Sequence, residues 1–279
     1  MHVRAVPGAE TFADEAMAFL RERAGRNNLP ISILSRALAG VYPESRHWIA
    51  VRGGEVVGAA LQTPPHPVIV AEPAVPEAVD ALGAAVRTEG GSVSGVVANV
   101  PWAERFASAW GGRWRTGMDQ GVYELTEMTA PRGADGSGRP ATAADRELVL
   151  RWVEEFEEEA LREHHVRDHE RMRLLVDIAL GPDAGSGYAL WEVDGEPVSL
   201  TGFGRYAFGA RVGPVYTPPA HRGRGFASNL VAHISASMLS SGVDACYLYT
   251  DLANPTSNRI YTDVGYRMIA RSQELVFDP

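Results

Sequence analysis

The sequence predicts an α/β (α+β) chain built from two similar halves, and three observations predict it. Amphipathic helical segments alternate with short apolar strands along the length. One order of turn, strand, helix, strand and asparagine occurs twice. Between the copies lies Ala130-Pro-Arg-Gly-Ala-Asp-Gly-Ser-Gly-Arg139, a polar stretch with the composition of a linker.

Each half opens on an amphipathic helix. Phe12, Ala16, Phe19 and Leu20 share a face in the first; Val149, Trp152, Val153, Phe156 and Ala160 do in the second. A hairpin follows in each, His47–Val57 and Tyr188–Val198, turning at Gly53-Gly54 and Asp194-Gly195. Next come a strand (Val68–Ala71; Val212–Tyr216), a helix (Glu77–Arg87; Phe226–Leu239) and a second strand (Ser94–Ala98; Ala245–Thr250). The second strand runs into Asn99 in one half and Asn254 in the other, and a short helix and a last strand (Val122–Leu125; Glu274–Phe277) close each copy. The expected boundaries are 1–128, a linker at 129–140, and 141–279.

The bulk composition narrows the function classes. The chain has 279 residues, room for two ordinary domains, with 45% hydrophobic and 22% charged residues. A net charge of −9 argues against a nonspecific nucleic-acid binder, which needs a basic face. No apolar run approaches the roughly 18 residues of a membrane span, and the N-terminus lacks a signal-peptide pattern, so a cytoplasmic protein is expected. Cys246 has no second cysteine to pair with and reads as a buried strand residue. All 26 basic residues are arginine, so no internal lysine can serve as a Schiff-base or general-base residue.

The stretch Val212-Gly-Pro-Val-Tyr-Thr-Pro-Pro-Ala-His-Arg-Gly-Arg-Gly-Phe-Ala-Ser-Asn-Leu-Val231 carries the chemistry. An apolar strand turns sharply into a glycine-rich loop that opens a helix. Backbone N–H groups at such a helix start point at one place, and the helix dipole favours an anion there. Gly223 and Gly225 let the backbone approach a ligand, Ala227 stays small for the same reason, and Arg222 and Arg224 add charge. A dinucleotide fingerprint would put Ser228 in place of its third glycine, and a Walker A loop needs a lysine.

Arg222-x-x-Gly225-x-Ala227 after a strand resembles the Q/R-x-x-G-x-G/A motif of the GCN5-related N-acetyltransferase (GNAT) family. Asn254-Pro-Thr-Ser-Asn-Arg-Ile-Tyr261-Thr-Asp-Val-Gly265-Tyr266 is similar to that family's second signature. The resemblance covers Ala141–Pro279 by motif and Met1–Leu125 by layout. It implies two tandem domains, each a mixed, mostly antiparallel twisted sheet flanked by helices, the first a degenerate copy. In the first copy the loop position reads Ala71-Glu-Pro-Ala-Val-Pro-Glu77, with no glycine, two prolines lacking N–H donors, and two carboxylates.

The resemblance further implies acetyl-CoA as co-substrate, with no metal, and direct acetyl transfer to a small-molecule primary amine in a ternary complex. The backbone of Val215, Tyr216 and Thr217 would run beside the pantetheine, with the Val215 N–H as an oxyanion donor. Arg222, Gly223, Arg224, Gly225, Phe226, Ala227 and Ser228 would hold the pyrophosphate. Asn254 and Asn258 would reach the pantetheine amides or the sulfur; the plainer role of Asn254 is a helix cap ahead of Pro255. Tyr261 would protonate the departing thiolate.

A general base is less defined. Glu154, Glu157 and Glu158 point away from the apolar stripe of their helix, whereas Glu159 and Glu163 flank it; Glu159 is favoured, Glu192 next, and several family members need no dedicated base. His164, His165 and His169 with Asp168 lack a zinc pattern and read as surface or as an acceptor-site lining. Two rivals stay open. One is a non-catalytic acyl-CoA-binding or regulatory protein. The other is a specialised tandem transferase, mycothiol-synthase-like or antibiotic-modifying. Nucleic-acid and membrane partners are not expected. The altered half can substitute for a dimer partner, which favours a monomer.

Overall fold

The computed structural model describes residues 1–89, 93–160, 168–181, 185–206 and 208–278. The backbone clusters into two compact units, Met1–Val122 with Ile269–Pro279, and Tyr123–Met268.

The first unit contains β1 (His2–Val6), α1 (Ala9–Arg21), α2 (Asn28–Leu38), β2 (Arg46–Arg52), β3 (Glu55–Gln62), β4 (Val68–Val70), α3 (Glu77–Glu89), β5 (Gly95–Asn99), α4 (Trp102–Trp110) and most of β6 (Trp114–Leu125). Its strands follow the order β1-β2-β3-β4-β5-β12-β6, where β12 (Arg267–Phe277) is the last strand of the chain. From β1 to β12 the pairings are antiparallel except β4 with β5. The α1 face predicted from periodicity is the buried one, Phe12, Ala16, Phe19 and Leu20. On the other side α3 and α4 bury Val79, Leu82, Val86 and Phe106 with Trp48 and Val96. A core this size removes each large side chain from water at about 1.5–3 kcal/mol apiece.

The second unit holds β7 (Ser137–Pro140), α5 (Arg146–Ala160), α6 (His169–Ala179), β8 (Ser186–Val193), β9 (Glu196–Tyr206), β10 (Gly209–Tyr216), α7 (Phe226–Ser240), β11 (Ala245–Asp251) and α8 (Pro255–Val264). Its strand order is β11-β10-β9-β8-β7, antiparallel except for β10 with β11. Its α7 packs Phe226, Leu230, Val231 and Ile234 onto one face with Leu248, Tyr261 and Tyr266. On the other face α5 buries Val149, Leu150, Trp152 and Val153 against Leu190, Leu200 and Tyr216. Phe156 is only partly buried and Ala160 is exposed, so the predicted apolar stripe fades over the last turn of α5.

Both hairpin turns have positive φ at both central residues, Gly53 (63°) with Gly54 (89°) and Asp194 (53°) with Gly195 (82°). That matches the right-handed twist of the flanking strands. The order hairpin, strand, helix, strand, helix, strand is thus shared by the two copies. The closing strands depart from a simple tandem: β12 from Ile269 onward lies in the first unit, and Tyr123–Leu125 of β6 lie in the second. In the stretch read as linker, residues 137–140 form the edge strand β7, with Arg139 bonded to Glu192 at 2.7 Å and Asp145 at 2.8 Å. No described helix is long and apolar enough to cross a membrane.

Candidate active site

The site starts where two parallel strands part. Strand β10 pairs with β11 only through Gly209–Arg211 against Ala245–Tyr247, yet β10 continues to Tyr216 and β11 to Asp251. The β9–β10 ladder shifts register between Val212 and Val215, across Gly213-Pro214. A bulge there bends the strand and sharpens its twist, and Pro214 has no N–H for a ladder. Together these leave an opening between the C-terminal ends of β10 and β11.

The end of β10 is fixed by polar contacts. Ser199 Oγ donates to the Tyr216 carbonyl at 3.1 Å and lies 2.8 Å from Thr217 Oγ1. Tyr216 packs beside Trp152, with ring centroids 6.4 Å apart. Its hydroxyl donates to Glu159 Oε1 at 3.2 Å. Burial first, then the carboxylates of Glu155 and Glu159, pushes the Tyr216 phenol well above the ordinary tyrosine range. Val215 packs partly buried against the α7 side.

Beyond β10 a short 3₁₀ turn (Pro219–His221) leads into the loop. Gly223 has φ 76°, and Gly225, the N-cap of α7, has φ 81° and ψ 3°. A left-handed residue there turns the chain into the helix without offering a side chain to it. No side-chain cap is present and no acidic residue stands in the first turn of α7. An uncapped start leaves N–H groups available and a partial positive charge unanswered. Phe226, 2% exposed, anchors this end in the core. Arg224 lies over the Phe226 ring at 4.8 Å. Ala227 and Ser228 are half-buried. Arg222 donates through Nε to the Thr217 carbonyl at 2.8 Å and through an Nη to Glu159 Oε2.

Asn254 caps α8: its Oδ1 accepts from the Ser257 N–H at 3.1 Å, with Pro255 at the first helical position. Asn258 Nδ2 donates to the carbonyls of Asp251 (3.1 Å) and Asn254 (2.8 Å), and its Oδ1 accepts from the Tyr123 hydroxyl at 3.3 Å. Both asparagines therefore hold the junction of β11 with α8. Tyr261 sits in the core with 8% exposure, edge-on to Tyr266 at 6.2 Å. Burial pushes its phenol up to about 12, so it carries its proton at neutral pH.

The remaining sequence candidates separate. Glu159 meets β10 and the loop, whereas Glu192 is committed to Arg139. Glu154 and Glu157, half-buried, and Glu158, exposed, line a surface depression with His169 and Arg173. Asp168 caps α6 through the Arg171 N–H at 2.9 Å. Glu163, His164 and His165 lie outside the described residues. Among the described residues no group of His, Cys, Asp and Glu is arranged to hold a metal ion. Sequence reasoning missed Asn229, whose Nδ2 donates to the carbonyls of Arg132 and Gly225, both at 2.9 Å. It ties the expected linker to the loop.

The equivalent place in the first unit has other contents. Strands β4 and β5 pair in parallel through Val68↔Val96 and Ile69↔Val97, and the next residues meet a buried carboxylate. Glu72 accepts from Asn99 Nδ2, Trp102 Nε1 and Arg26 Nη1, each at 3.1 Å. Its N–H donates to Asn27 Oδ1 at 2.8 Å.

Residues 147–266, from α5 to Tyr266, match the family model of the acetyltransferase (GNAT) family. The C-terminal half is a GNAT acetyltransferase domain. Membership makes acyl transfer the class of reaction. No curated protein sequence matches the chain. Among solved structures, a GNAT acetyltransferase from Colwellia psychrerythraea is similar at TM-score 0.60 and 10% identity over 100% of both chains. A GCN5-related N-acetyltransferase from Sphaerobacter thermophilus is similar at TM-score 0.64 and 18% identity, over 98% of this chain and 94% of that one. A tandem GNAT protein from the clavulanic acid biosynthesis pathway matches at TM-score 0.62 and 16% identity, over 100% of this chain and 99% of that one. At such identities the likeness is one of fold.

Proposed function

We propose that the protein moves an acetyl group from acetyl-CoA to the primary amine of a small molecule, by direct transfer in a ternary complex. The observation that carries this reading is the parting of β10 from β11 directly ahead of an uncapped, glycine-led helix. A flexible acyl arm fits along a strand edge, and its pyrophosphate fits the start of α7. In this reading the N–H groups of Arg222–Ala227 hold the pyrophosphate. Val215, Tyr216 and Thr217 align the pantetheine, and Asn254 and Asn258 meet its far end. Among the described residues of the first copy the loop position, Ala71–Glu77, has no glycine, so one acyl-CoA binds per chain, in residues 141–279.

Transfer requires an uncharged amine, a stabilised oxyanion and a protonated leaving group. The Val215 N–H is the oxyanion donor. Glu159 takes the proton of the acceptor ammonium. The amine nitrogen then bonds to the thioester carbon, the C–S bond breaks, Tyr261 gives its proton to the sulfur, and the surplus proton left on the nitrogen passes through water to restore the tyrosine. At neutral pH the Tyr261 phenol holds the proton that this step transfers.

The core position of Tyr261 also fits a non-catalytic acyl-CoA-binding protein, which would keep the loop and use that phenol for packing alone. Radiolabelled acetyl-CoA incubated with a panel of primary amines separates the two. Labelled amide together with stoichiometric free thiol supports transfer. Tight acetyl-CoA binding with no product on any amine supports the binding protein.

A further inference from the structure

Arg222 belongs to the loop read as the acyl-CoA site, and this inference rests on that reading. Its guanidinium is already engaged in the structure. It bonds the Thr217 carbonyl and Glu159, and stands 5.9 Å from the centre of the Tyr216 ring. Glu159 lies 63 positions away on α5, so the pair is tertiary. The second oxygen of Glu159 is taken by the Tyr216 hydroxyl. Glu159 thus has two partners, one cationic and one neutral.

The two ionic side chains are close to half exposed, 47% for Arg222 and 45% for Glu159. Such a pair is weak and exchangeable. A pyrophosphate at the start of α7 offers the same guanidinium a more highly charged and bidentate partner. We infer that Glu159 and the cofactor phosphate compete for Arg222. Acyl-CoA then draws the arginine away, and Glu159, still held by Tyr216, is left as an uncompensated carboxylate. The Glu159 pair and the phosphate pair of Arg222 exclude each other, so the free carboxylate that receives an ammonium exists only once the cofactor is in place. Competition of this kind orders the reaction, cofactor before amine, through one side chain.

The competition has a signature that a supporting role would reverse. If Glu159 competes, removing its charge tightens CoA; if it merely positions Arg222, removing it weakens CoA. Free CoA is the probe, titrated calorimetrically into wild type, Glu159→Gln, Arg222→Gln and the double variant, with thermal unfolding as a check on folding. Glu159→Gln is expected to lower the Kd about two- to fivefold, the worth of an exposed pair. Arg222→Gln should raise it roughly tenfold, the loss of a charged hydrogen bond. The double variant should match Arg222→Gln, because Glu159 acts only through the arginine. A Kd for Glu159→Gln equal to or weaker than wild type overturns the competition, as does a double variant that keeps the gain. Absence of CoA binding to wild type would instead overturn the underlying site assignment.

Discussion

Glu72 offers a direct measure of how the first unit closes the place that the second keeps open. Its side chain is 9% exposed and accepts three hydrogen bonds, from Asn99, Trp102 and Arg26. Replacement by alanine leaves the Trp102 Nε1–H and one of the two Asn99 Nδ2 protons without a partner, the other still bonded to the Arg26 carbonyl, at about 1–3 kcal/mol each. Arg26, 47% exposed, can turn to water, so its loss adds less than about 1 kcal/mol. The charge no longer has to be desolvated, which offsets part of the cost. The expected net loss is about 3 kcal/mol for Glu72→Ala. Glu72→Gln keeps one carbonyl acceptor and should lose about half as much. Urea unfolding at neutral pH, followed by fluorescence, gives both numbers, and acetyl-CoA binding measured in parallel should not change. The reasoning fails if Glu72→Ala lies within 1 kcal/mol of wild type, or if the glutamine variant is the less stable of the two.

Three further outcomes test other parts of the molecule. Tyr261→Phe should lower kcat well over tenfold while leaving acetyl-CoA affinity nearly unchanged; equal turnover would remove its role as acid. Gly225 holds φ 81° and an added Cβ would meet nothing nearer than 3.7 Å, so Gly225→Ala should cost backbone strain alone, about 1–2 kcal/mol. Gly225→Asn, which tolerates this conformation, should cost less, and equal thermal shifts would contradict the strain argument. His47 is 2% exposed, stacked on Phe12, with both ring nitrogens unbonded, and burial lowers its pKa from 6.5 to about 4. The folded pKa lies below the unfolded one, so stability is full above 6.5 and is lost as pH falls toward 4. The loss comes to roughly 2–3 kcal/mol. His47→Leu should flatten that slope between pH 6.5 and 4.5 in urea titrations; an unchanged slope would place the acid sensitivity elsewhere.

How much was legible depended on the range of the interaction. Helical faces such as Phe12, Ala16, Phe19 and Leu20 follow from a local period, and both hairpins follow from Gly-Gly and Asp-Gly pairs that accept positive φ. The glycine loop was legible because Gly223 and Gly225 have a local conformational reason. Asn254 was legible as a cap by its place before Pro255. The destination of β12 was not. Its apolar alternation fits a place beside any strand of suitable register, and its partner β5 lies some 170 positions earlier, Ser272 against Asn99. Edge strand β7 was hidden by Gly and Ser in a stretch of linker composition. Its support comes from Arg139 reaching Glu192 and Asp145. Helix α2 went unread because Pro30 lies near its start, where a missing N–H costs nothing. The Arg222–Glu159 pair could not be read at all, since nothing local to either residue names the other.

The two copies differ in the electrostatics of a single helix start, and under the proposed function that difference separates a start that holds a phosphate from one that refuses it. Helix α3 and helix α7 occupy the same position in their copies. The first turn of α3 carries Glu77 and Asp80, so its partial positive charge is already met by carboxylates. Asp80 is further tied to Arg105 at 2.6 Å. Just ahead of that turn Glu72 sits buried as a fixed internal anion. Helix α7 has no acid in its first turn and no side-chain cap, and the residues ahead of it are glycines and arginines. Charge at the first helix is therefore satisfied by the protein itself and could accept a phosphate only by displacing carboxylates that cannot leave. At the second helix the one competing carboxylate, Glu159, comes from a distant element and holds Arg222 through an exposed pair, so it can be exchanged. A helix start answered by its own sequence in one copy, and by an exchangeable contact from a distant element in the other, is what the proposed division of labour requires: one acyl-CoA site, in the second copy.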